Sequence, residues 1–435
     1  MALRFGTDGV RAEAFTVLTT EYVRALGAAA AEVLDGESFL VGRDTRESGP
    51  ELLRAFAQGC ASKGVGIVDL GVVPTPAVAH MSAELGVPAA MLSASHNPWQ
   101  DNGVKLFSAG GRKLSDDDQD VIQAELDRNP TLADTGVDPE LVAGVIDPYV
   151  EAVVGSIAGR FDGVRVALDC AHGSASTTAV AIFERLGAEV VALADQPDGR
   201  NINDGVGSTH PEFLQQAVLE HGASVGFAFD GDADRVAAAS SDGEGIDGDR
   251  IIAMTALDRR DTGRLANNTV VITVMANLGF RVAMEAENLA MVETPVGDRY
   301  VLEALDEGGF SLGGEQSGHV IHRDLATTGD GVLTAVQLLG AAVRRDVDLG
   351  EWAAGVMTRY PQILENVRMN HKIPDLVDRL APAIAAEEEA LGADGRVLIR
   401  ESGTEPVVRV MVEAADQSVA QASVDRLVAA VAALT

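Results

Sequence analysis

A serine stands in a loop that directly follows a predicted buried strand. The apolar run from Pro88 to Leu92 is typical of a strand, and Ser95 comes soon after it, beside His96 and the turn-forming Asn97 and Pro98. Ligand sites of α/β proteins lie at the carboxyl ends of strands, and a hydroxyl beside a histidine suits a nucleophile. Serine, asparagine and proline also favour a simple turn, so this loop alone leaves both interpretations open.

Three carboxylates follow another predicted strand at alternating positions. Asp230, Asp232 and Asp234 come directly after an apolar run, and Arg235 is next. In an extended or looped backbone these side chains can face one side, where their mutual repulsion calls for a cation. An all-oxygen ligand set with few protein ligands favours Mg²⁺ over Zn²⁺. The remaining interpretation is a solvated acidic turn.

Glycine-rich loops carry most of the other polar groups. Glu315, Ser317 and His319 alternate in one such loop and can converge on the hydroxyls of a sugar, although a plain glycine turn is the default for this string. A later loop combines backbone N–H groups, hydroxyls and guanidinium groups, which together can cradle a phosphate. Its residues are Arg400, Ser402, Gly403, Thr404 and Arg409. A further glycine-flanked arginine, Arg11, lies near the start of the chain, and Lys105 lies downstream of the serine loop.

Alternating helices and strands must position these loops. Over the first 150 residues this alternation predicts an α/β unit with a largely parallel sheet, and the pattern restarts near Val164 and Thr269. The last part differs, with two alternating strands before the amphipathic helix Ser418–Leu434. We therefore expect three similar α/β domains with mixed sheets and a smaller α+β C-terminal domain. The predicted boundaries are 1–150, 151–256, 257–366 and 367–435.

Composition excludes several classes of protein. The 435 residues carry a formal net charge of −33, which argues against a nucleic-acid partner because phosphate backbones need a basic surface. No apolar run approaches the roughly 18 residues of a membrane span, and the N-terminus lacks the features of a signal peptide. We expect a cytoplasmic protein with no membrane partner. An anionic substrate would need positive charge concentrated locally, in loops such as those above.

Together, the five loops resemble the α-D-phosphohexomutase superfamily, in this order and over nearly the whole chain. Within it, GEQSG at Gly314–Gly318 looks most like the branch that acts on glucosamine phosphates. FGTDGVR at Phe5–Arg11 and GSTHPE at Gly207–Glu212 look like the same branch. Relatives that act on glucose or mannose phosphates typically carry Met or Glu where Gln316 stands.

The resemblance implies four domains around a central cleft, each offering one loop. It implies that Ser95 carries a phosphoryl group and that Mg²⁺ is held by that group and by Asp230, Asp232 and Asp234. The reaction would interconvert glucosamine 6-phosphate and glucosamine 1-phosphate through a 1,6-bisphosphate. The resemblance also implies priming by glucosamine or glucose 1,6-bisphosphate, a homodimer, and a supply of product for UDP-N-acetylglucosamine synthesis.

The resemblance also assigns roles to the remaining loop residues. Arg11, Lys105 and Arg235 match basic residues close to the transferring phosphoryl group. The sugar contacts match Glu315, Ser317 and His319, and the binder of the non-reacting phosphate matches Arg400, Ser402, Gly403, Thr404 and Arg409. His96 and Lys105 are both candidates for the general acid/base, and a lysine pKa lowered by nearby arginines would suit that role.

Three alternatives stay open. The nearest is another sugar specificity within the superfamily, for glucose or mannose phosphates, and Gln316 argues against it. A metal-dependent phosphatase would use the aspartate cluster with water, but it would need neither the strand-end serine nor a second phosphate site. A non-catalytic sugar-phosphate binder would have no use for Ser95 together with three aspartates.

Overall fold

The computed structural model describes residues 3–6, 8–128, 136–137, 141–142, 144, 146–369, 373, 375–401 and 407–434. The chain forms two compact units, Met1–Met275 with Leu289–Gly355, and Ala276–Asn288 with Val356–Thr435. Within the described ranges, no helix combines the length and the apolar character needed to cross a membrane.

The first part of the chain forms a six-stranded mixed sheet flanked by helices. Its strands are β1 (Val10–Glu13), β2 (Ser38–Arg43), β3 (Gly66–Val72), β4 (Ala89–Leu92), β5 (Asp101–Ser108) and β6 (Arg112–Lys113). Its helices are α1 (Thr20–Val33), α2 (Gly49–Ser62), α3 (Thr75–Leu85) and α4 (Asp116–Arg128). The strand order is β1-β5-β4-β2-β3, parallel among β4, β2 and β3 and antiparallel at β5. Since β5 lies beside β4, Lys105 is opposite Met91, close to the serine loop.

The second part forms a five-stranded mixed sheet. Its elements are α5 (Asp147–Gly155), β7 (Arg165–Asp169), α6 (Ala179–Arg185), β8 (Glu189–Leu193), α7 (Pro211–His221), β9 (Val225–Phe229), β10 (Val236–Ser240) and β11 (Gly245–Ile246). The order is β11-β10-β9-β7-β8, and β9 and β10 pair in antiparallel register. Because β9 is buried along its whole length, the aspartates that follow it begin at the end of a fixed strand.

The third part forms a four-stranded sheet in the order β13-β12-β14-β15. Its elements are α8 (Gly248–Asp261), β12 (Thr269–Thr273), α9 (Leu278–Ala286), β13 (Ala290–Thr294), α10 (Asp298–Gly308), β14 (Leu312–Gly314), β15 (Val320–His322), α11 (Gly331–Arg345) and α12 (Leu349–Val356). Helix α9 belongs to the second compact unit. The antiparallel pair β14 and β15 holds Glu315–His319 as a tight connection between strands.

The C-terminal part is a three-stranded antiparallel sheet with two helices. Its elements are β16 (Gln362–Arg368), α13 (Leu376–Leu391), β17 (Gly395–Glu401), β18 (Val407–Ala414) and α14 (Gln417–Ala432). The strand order is β16-β18-β17. Val408, Val410 and Val412 alternate along β18 and pack in one core with Leu427 of α14. The residues between those valines therefore lie on the other face of the sheet.

The predicted fold class is confirmed, with three α/β sheets and a smaller α+β C-terminal part. The strands β7 (Arg165–Asp169) and β12 (Thr269–Thr273) lie where the pattern was predicted to restart, near Val164 and Thr269. Strand β5 was not predicted, because its first residues, Asp101–Gly103, have low β propensity. Its interior is nevertheless buried.

Candidate active site

Ser95 is held in a strained backbone conformation at the end of β4. Its φ is +55°, a left-handed value that non-glycine residues adopt only where surrounding contacts enforce it. The Ser95 N–H donates to Ser93 Oγ at 2.9 Å, and the Ser95 side-chain hydroxyl donates to Asp230 Oδ2 at 2.6 Å. The predicted nucleophile and the first residue of the aspartate cluster are therefore in direct contact.

A buried arginine that the sequence analysis did not single out fixes the serine loop. Arg46, 1% exposed, donates through Nε to Asp44 at 2.9 Å and through Nη2 to the Ser95 and Asn97 carbonyls at 3.0 and 2.8 Å. Its Nη1 donates to the carbonyls of Pro98 and Asp101. All five guanidinium N–H groups are therefore used, four of them on backbone oxygens of one loop. This arrangement explains how the strained turn at Ser95 is maintained.

The three aspartates form a buried cluster. Each of Asp230, Asp232 and Asp234 offers a carboxylate oxygen, and these atoms lie within 4.8 Å of one another. The Oδ1 atoms of Asp232 and Asp234 are buried without a hydrogen-bond partner among the described residues. Buried carboxylate oxygens without donors are costly unless a cation meets them. The cluster therefore fits a divalent cation.

Charge repulsion within the cluster is visible in Asp230. Burial, followed by the charges of Asp234 and Asp232, raises the pKa of Asp230 to about 8. The protein alone thus disfavours three negative charges at this place. A positive ion, or the hydrogen bond from Ser95, offsets part of that repulsion.

Lys105 provides one positive charge to the cluster. Its Nζ lies 2.8 Å from Asp232 Oδ2 and 3.0 Å from both Asp234 Oδ2 and Asp8 Oδ2. Burial would lower the Lys105 pKa, but the three carboxylates outweigh it and raise the pKa well above its ordinary value. A lysine pKa lowered by arginines would suit a general acid/base, but the nearest neighbours of Lys105 are acids, which favour its ammonium form.

His96 has the opposite character. Its Nδ1 lies 3.4 Å from Ser95 Oγ. Burial, together with the nearby Arg235 and Arg11, lowers the pKa of His96 to about 4. The ring is therefore neutral near pH 7, and in the tautomer protonated at Nε2 it has a lone pair next to the serine hydroxyl.

A pocket of about 420 Å³ opens beside these groups. Its polar lining joins residues from the three α/β parts of the chain, among them Asp8, Arg11, Asp234, Arg235, Asp298, Glu315 and His319. The lining thus contains two of the predicted basic residues and two of the three predicted sugar contacts. Ser317 is exposed and does not belong to this lining. A pocket of this size with several charged groups suits a small polar ligand.

His319 lies between two carboxylates on the pocket wall. Its Nδ1 is 3.7 Å from Asp234 Oδ1, and its Nε2 is 3.6 Å from Asp298 Oδ2. Burial alone would lower the pKa of His319, but Asp234 and Asp298 outweigh burial and raise it. The surroundings of His319 therefore raise its pKa, whereas those of His96 lower it.

Three further charged residues of the pocket region were missed by the sequence analysis. Asp8 pairs with Arg11 and accepts from Lys113 at 2.6 Å, and Lys113 also pairs with Asp298. The signal for Asp8 was its place between glycine-flanked residues in GTDGVR, and Asp298 follows Gly297 in a similar string. Lys113 gave no local signal, because only the pairing of β6 with β5 brings it near Asp8.

The predicted phosphate loop lies in the second compact unit, where its two arginines face each other. Arg400 on β17 and Arg409 on β18 are directly opposite in antiparallel register, so both side chains lie on one face of the sheet. Burial and the charge of Arg409 lower the pKa of Arg400. Two adjacent cations of this kind favour a bound anion. Ser402, Gly403 and Thr404 lie outside the described residues.

Four family models match the chain along its length. They describe phosphoglucomutase/phosphomannomutase α/β/α domains I, II and III and the C-terminal domain, and they match residues 2–132, 147–243, 247–360 and 364–430. A phosphoglucosamine mutase of Thermobifida fusca is 50% identical, with 98% of this chain and 97% of the relative covered. Another, from Clavibacter michiganensis, is 49% identical, with 98% of both covered. The chain belongs to the phosphoglucosamine mutases of the α-D-phosphohexomutase superfamily.

Solved structures agree with this assignment. A phosphoglucomutase/phosphomannomutase family protein from Burkholderia thailandensis superposes with a TM-score of 0.82 at 27% identity, covering 98% of this chain and 97% of its own. The phosphohexomutase family predicted from the five loops is thereby confirmed. As a member of it, the chain is an isomerase that acts as an intramolecular phosphotransferase.

Proposed function

We propose that this phosphohexomutase interconverts glucosamine 6-phosphate and glucosamine 1-phosphate through phospho-Ser95 and a 1,6-bisphosphate intermediate. The observation that carries the proposal is the contact of 2.6 Å between Ser95 Oγ and Asp230 Oδ2, at the edge of the buried aspartate cluster. The full-length similarity to phosphoglucosamine mutases supports the amino sugar as substrate.

Ser95 is the group that we assign as phosphate carrier. In the forward half-reaction the bond between phosphorus and Ser95 Oγ breaks as a bond from phosphorus to the C1 oxygen of the 6-phosphate forms. The C1 hydroxyl loses its proton, and Ser95 Oγ takes one up. When the bisphosphate has turned, the phosphate at C6 returns to Ser95, and glucosamine 1-phosphate is released. The neutral ring of His96, 3.4 Å from Ser95 Oγ, is a candidate for the general acid/base.

Charge neutralisation is the second requirement of phosphoryl transfer. We assign Mg²⁺ to Asp230, Asp232 and Asp234, where it would offset the negative charge of the transferring group. Lys105, Arg11 and Arg235 add fixed positive charge. Burial would lower the pKa of Arg235, but Asp234 and Asp230 outweigh burial and raise it.

The remaining assignments concern the substrate. Glu315 and His319 line the pocket beside the metal cluster, which supports their role as sugar contacts, and Ser317 is assigned with them by resemblance. For the phosphate that does not react we assign the arginine pair of the C-terminal sheet and the loop between its strands. These residues are Arg400, Ser402, Gly403, Thr404 and Arg409.

Several wider features belong to the same proposal. We keep the division into domains at 1–150, 151–256, 257–366 and 367–435, and we propose a cytoplasmic homodimer with no nucleic-acid or membrane partner. Priming would require glucosamine or glucose 1,6-bisphosphate. The product would supply UDP-N-acetylglucosamine synthesis.

The sugar assignment is tested by comparing substrates. We expect kcat/KM with Mg²⁺ to be about a hundredfold higher for glucosamine 6-phosphate than for the 6-phosphates of glucose and mannose, which corresponds to about 2.7 kcal/mol. If glucose or mannose 6-phosphate is the better substrate, the sugar assignment is wrong and the superfamily assignment remains.

A further inference from the structure

Gln316 lies behind the sugar loop rather than in the pocket. Its Nε2 donates to Asp249 Oδ2 at 3.0 Å, and Asp249 is 1% exposed in the first turn of α8. Among the described residues, the pocket lining includes Glu315 and His319 on either side of Gln316, but not Gln316 itself. The side chain of Gln316 is thus directed to the helix and not to the ligand.

The loop around Gln316 is a tight turn built against that helix. The Gly318 N–H donates to the Glu315 carbonyl at 2.9 Å, which makes Gln316 a central residue of the turn. The Gly248 N–H donates to the Gln316 carbonyl at 3.2 Å. A Cβ at Gly248 would lie 2.5 Å from the Glu315 carbonyl oxygen, so the start of α8 and the turn are in the closest contact that glycine permits.

The side-chain bond completes this attachment. A carboxylate can only accept hydrogen bonds, so Asp249 selects the amide orientation in which Nε2 faces the helix. On the other side of the turn, the Gly297 N–H donates to Glu315 Oε1 at 3.2 Å. Gln316 and Glu315 are therefore held on opposite sides of the same turn.

We propose that Asp249 is a positioning residue, which anchors Gln316 and thereby sets how Glu315 and His319 face the substrate. The side chain of Gln316 then makes no contact with the substituent at C2 of the sugar. It supports contacts that every hexose 6-phosphate shares, so its loss weakens binding of glucosamine and glucose 6-phosphates by the same factor. This inference rests on the proposed function, and it changes the significance given to Gln316 in the sequence.

The test is Gln316→Met, which keeps the length of the side chain and removes its donor. We expect KM for glucosamine 6-phosphate and for glucose 6-phosphate to rise by the same factor, about tenfold, which corresponds to about 1.4 kcal/mol. The value of kcat should change less than about threefold, because the groups near Ser95 are untouched. Gln216→Met, an exposed exchange of the same kind on α7, is the matched control and should leave both KM values unchanged.

Asp249 provides the second arm of the test. Asp249→Asn keeps an oxygen acceptor for the amide and should stay close to the wild type, whereas Asp249→Leu should reproduce Gln316→Met. In the double variant the two losses of affinity should not add, since both variants remove the bond between Gln316 and Asp249. Melting temperatures of all variants identify any that fail to fold.

The proposal is overturned if Gln316→Met changes the ratio of kcat/KM for the two sugars tenfold, because Gln316 would then contact the sugar directly. An unchanged KM, or fully additive losses in the double variant, would also overturn it. Failure of the proposed function is a separate result, since it would appear as a different sugar preference in the wild-type enzyme.

Discussion

The serine–metal region, formed by Ser95, Lys105 and the three aspartates, and the arginine pair of the C-terminal sheet differ in how their charges are balanced. Around Asp232 and Asp234, buried acids are matched within the protein by Lys105, at 2.8 and 3.0 Å. Arg400 and Arg409, in contrast, face each other as like charges, and no acid is paired with either in the described part of the chain. The protein itself thus balances part of the charge in the first region, and we propose that the second gains its counter-charge from the phosphate of the ligand. We infer that chemistry resides in the first and phosphate binding in the second.

The largest expected effect comes from removing one carboxylate of the serine–metal region. Asp230→Asn keeps the shape and removes a proposed metal ligand, so kcat should fall about a thousandfold. Without Mg²⁺ the variant should be at least as stable as the wild type, because burial raises the pKa of Asp230 to about 8 and its charge is unfavourable there. Enzyme assays and melting curves with and without Mg²⁺ give both results.

The increase in melting temperature that Mg²⁺ gives the wild type should be much reduced in Asp230→Asn. Asp204→Asn, an exposed exchange of the same kind, should behave as the wild type. A full Mg²⁺-dependent increase in Asp230→Asn would contradict the assignment of the metal.

Substitutions in the arginine pair should raise KM. Removing either guanidinium, by Arg400→Leu or Arg409→Leu, deletes a charge-assisted contact, which is worth about 1.5–3 kcal/mol. We expect KM for the sugar phosphate to rise between about tenfold and a hundredfold, and kcat to change less. The melting temperature should not fall, since the substitution relieves repulsion between like charges.

Arg368→Leu is the control for the arginine pair, because Arg368 is exposed on the neighbouring strand β16. If it raised KM as much as the two paired positions do, binding would depend on general positive charge and not on the pair.

An effect of similar size, on kcat instead of KM, is expected at Arg46, which lies behind the serine loop. Arg46→Lys replaces five donors in a planar fork with three, so the Ser95 and Asn97 carbonyls lose fixed partners. We expect kcat to fall by about tenfold to a hundredfold with KM nearly unchanged, because substrate contacts are not altered. An increase in KM alone would show that Arg46 does not act through Ser95.

The smallest effect is a pH dependence outside both regions. Burial raises the pKa of Asp330, which caps α11 and accepts from Leu333 N at 2.9 Å, to about 7. A raised folded-state pKa means that stability is lost as pH rises from about 4 to about 7. Asparagine also caps helices but does not ionise. Relative to the wild type, Asp330→Asn should therefore gain about 2–3 kcal/mol of unfolding free energy between pH 5 and pH 8.

Urea unfolding at several pH values measures this difference. Parallel pH profiles for Asp330→Asn and the wild type would show that the Asp330 pKa is not raised in the folded protein.

Around Ser95 and the pocket, the sequence predicted some of the residues and missed others. Ser95, Asp230 and Glu315 each follow a buried strand, so local pattern was enough to identify their loops. Arg46 and Lys113 act only through sheet pairing and long-range contacts, with Arg46 reaching a carbonyl 55 residues away. The sequence did not indicate the raised pKa of Lys105, because its neighbours Asp8 and Asp232 are distant from it in sequence. The local sequence shows which loops follow a buried strand. It does not show which charged side chains the fold brings beside those loops.

The central claim is that Ser95 carries the phosphoryl group between the two hydroxyls of the sugar. The most direct measurement incubates the enzyme with radiolabelled glucose 1,6-bisphosphate and maps the labelled peptide, before and after addition of glucosamine 6-phosphate. We predict that the label resides on Ser95, passes to the sugar phosphate on addition, and is absent from Ser95→Ala, which has no mutase activity. Label elsewhere, mutase activity in Ser95→Ala, or release of the label only as inorganic phosphate would contradict the account.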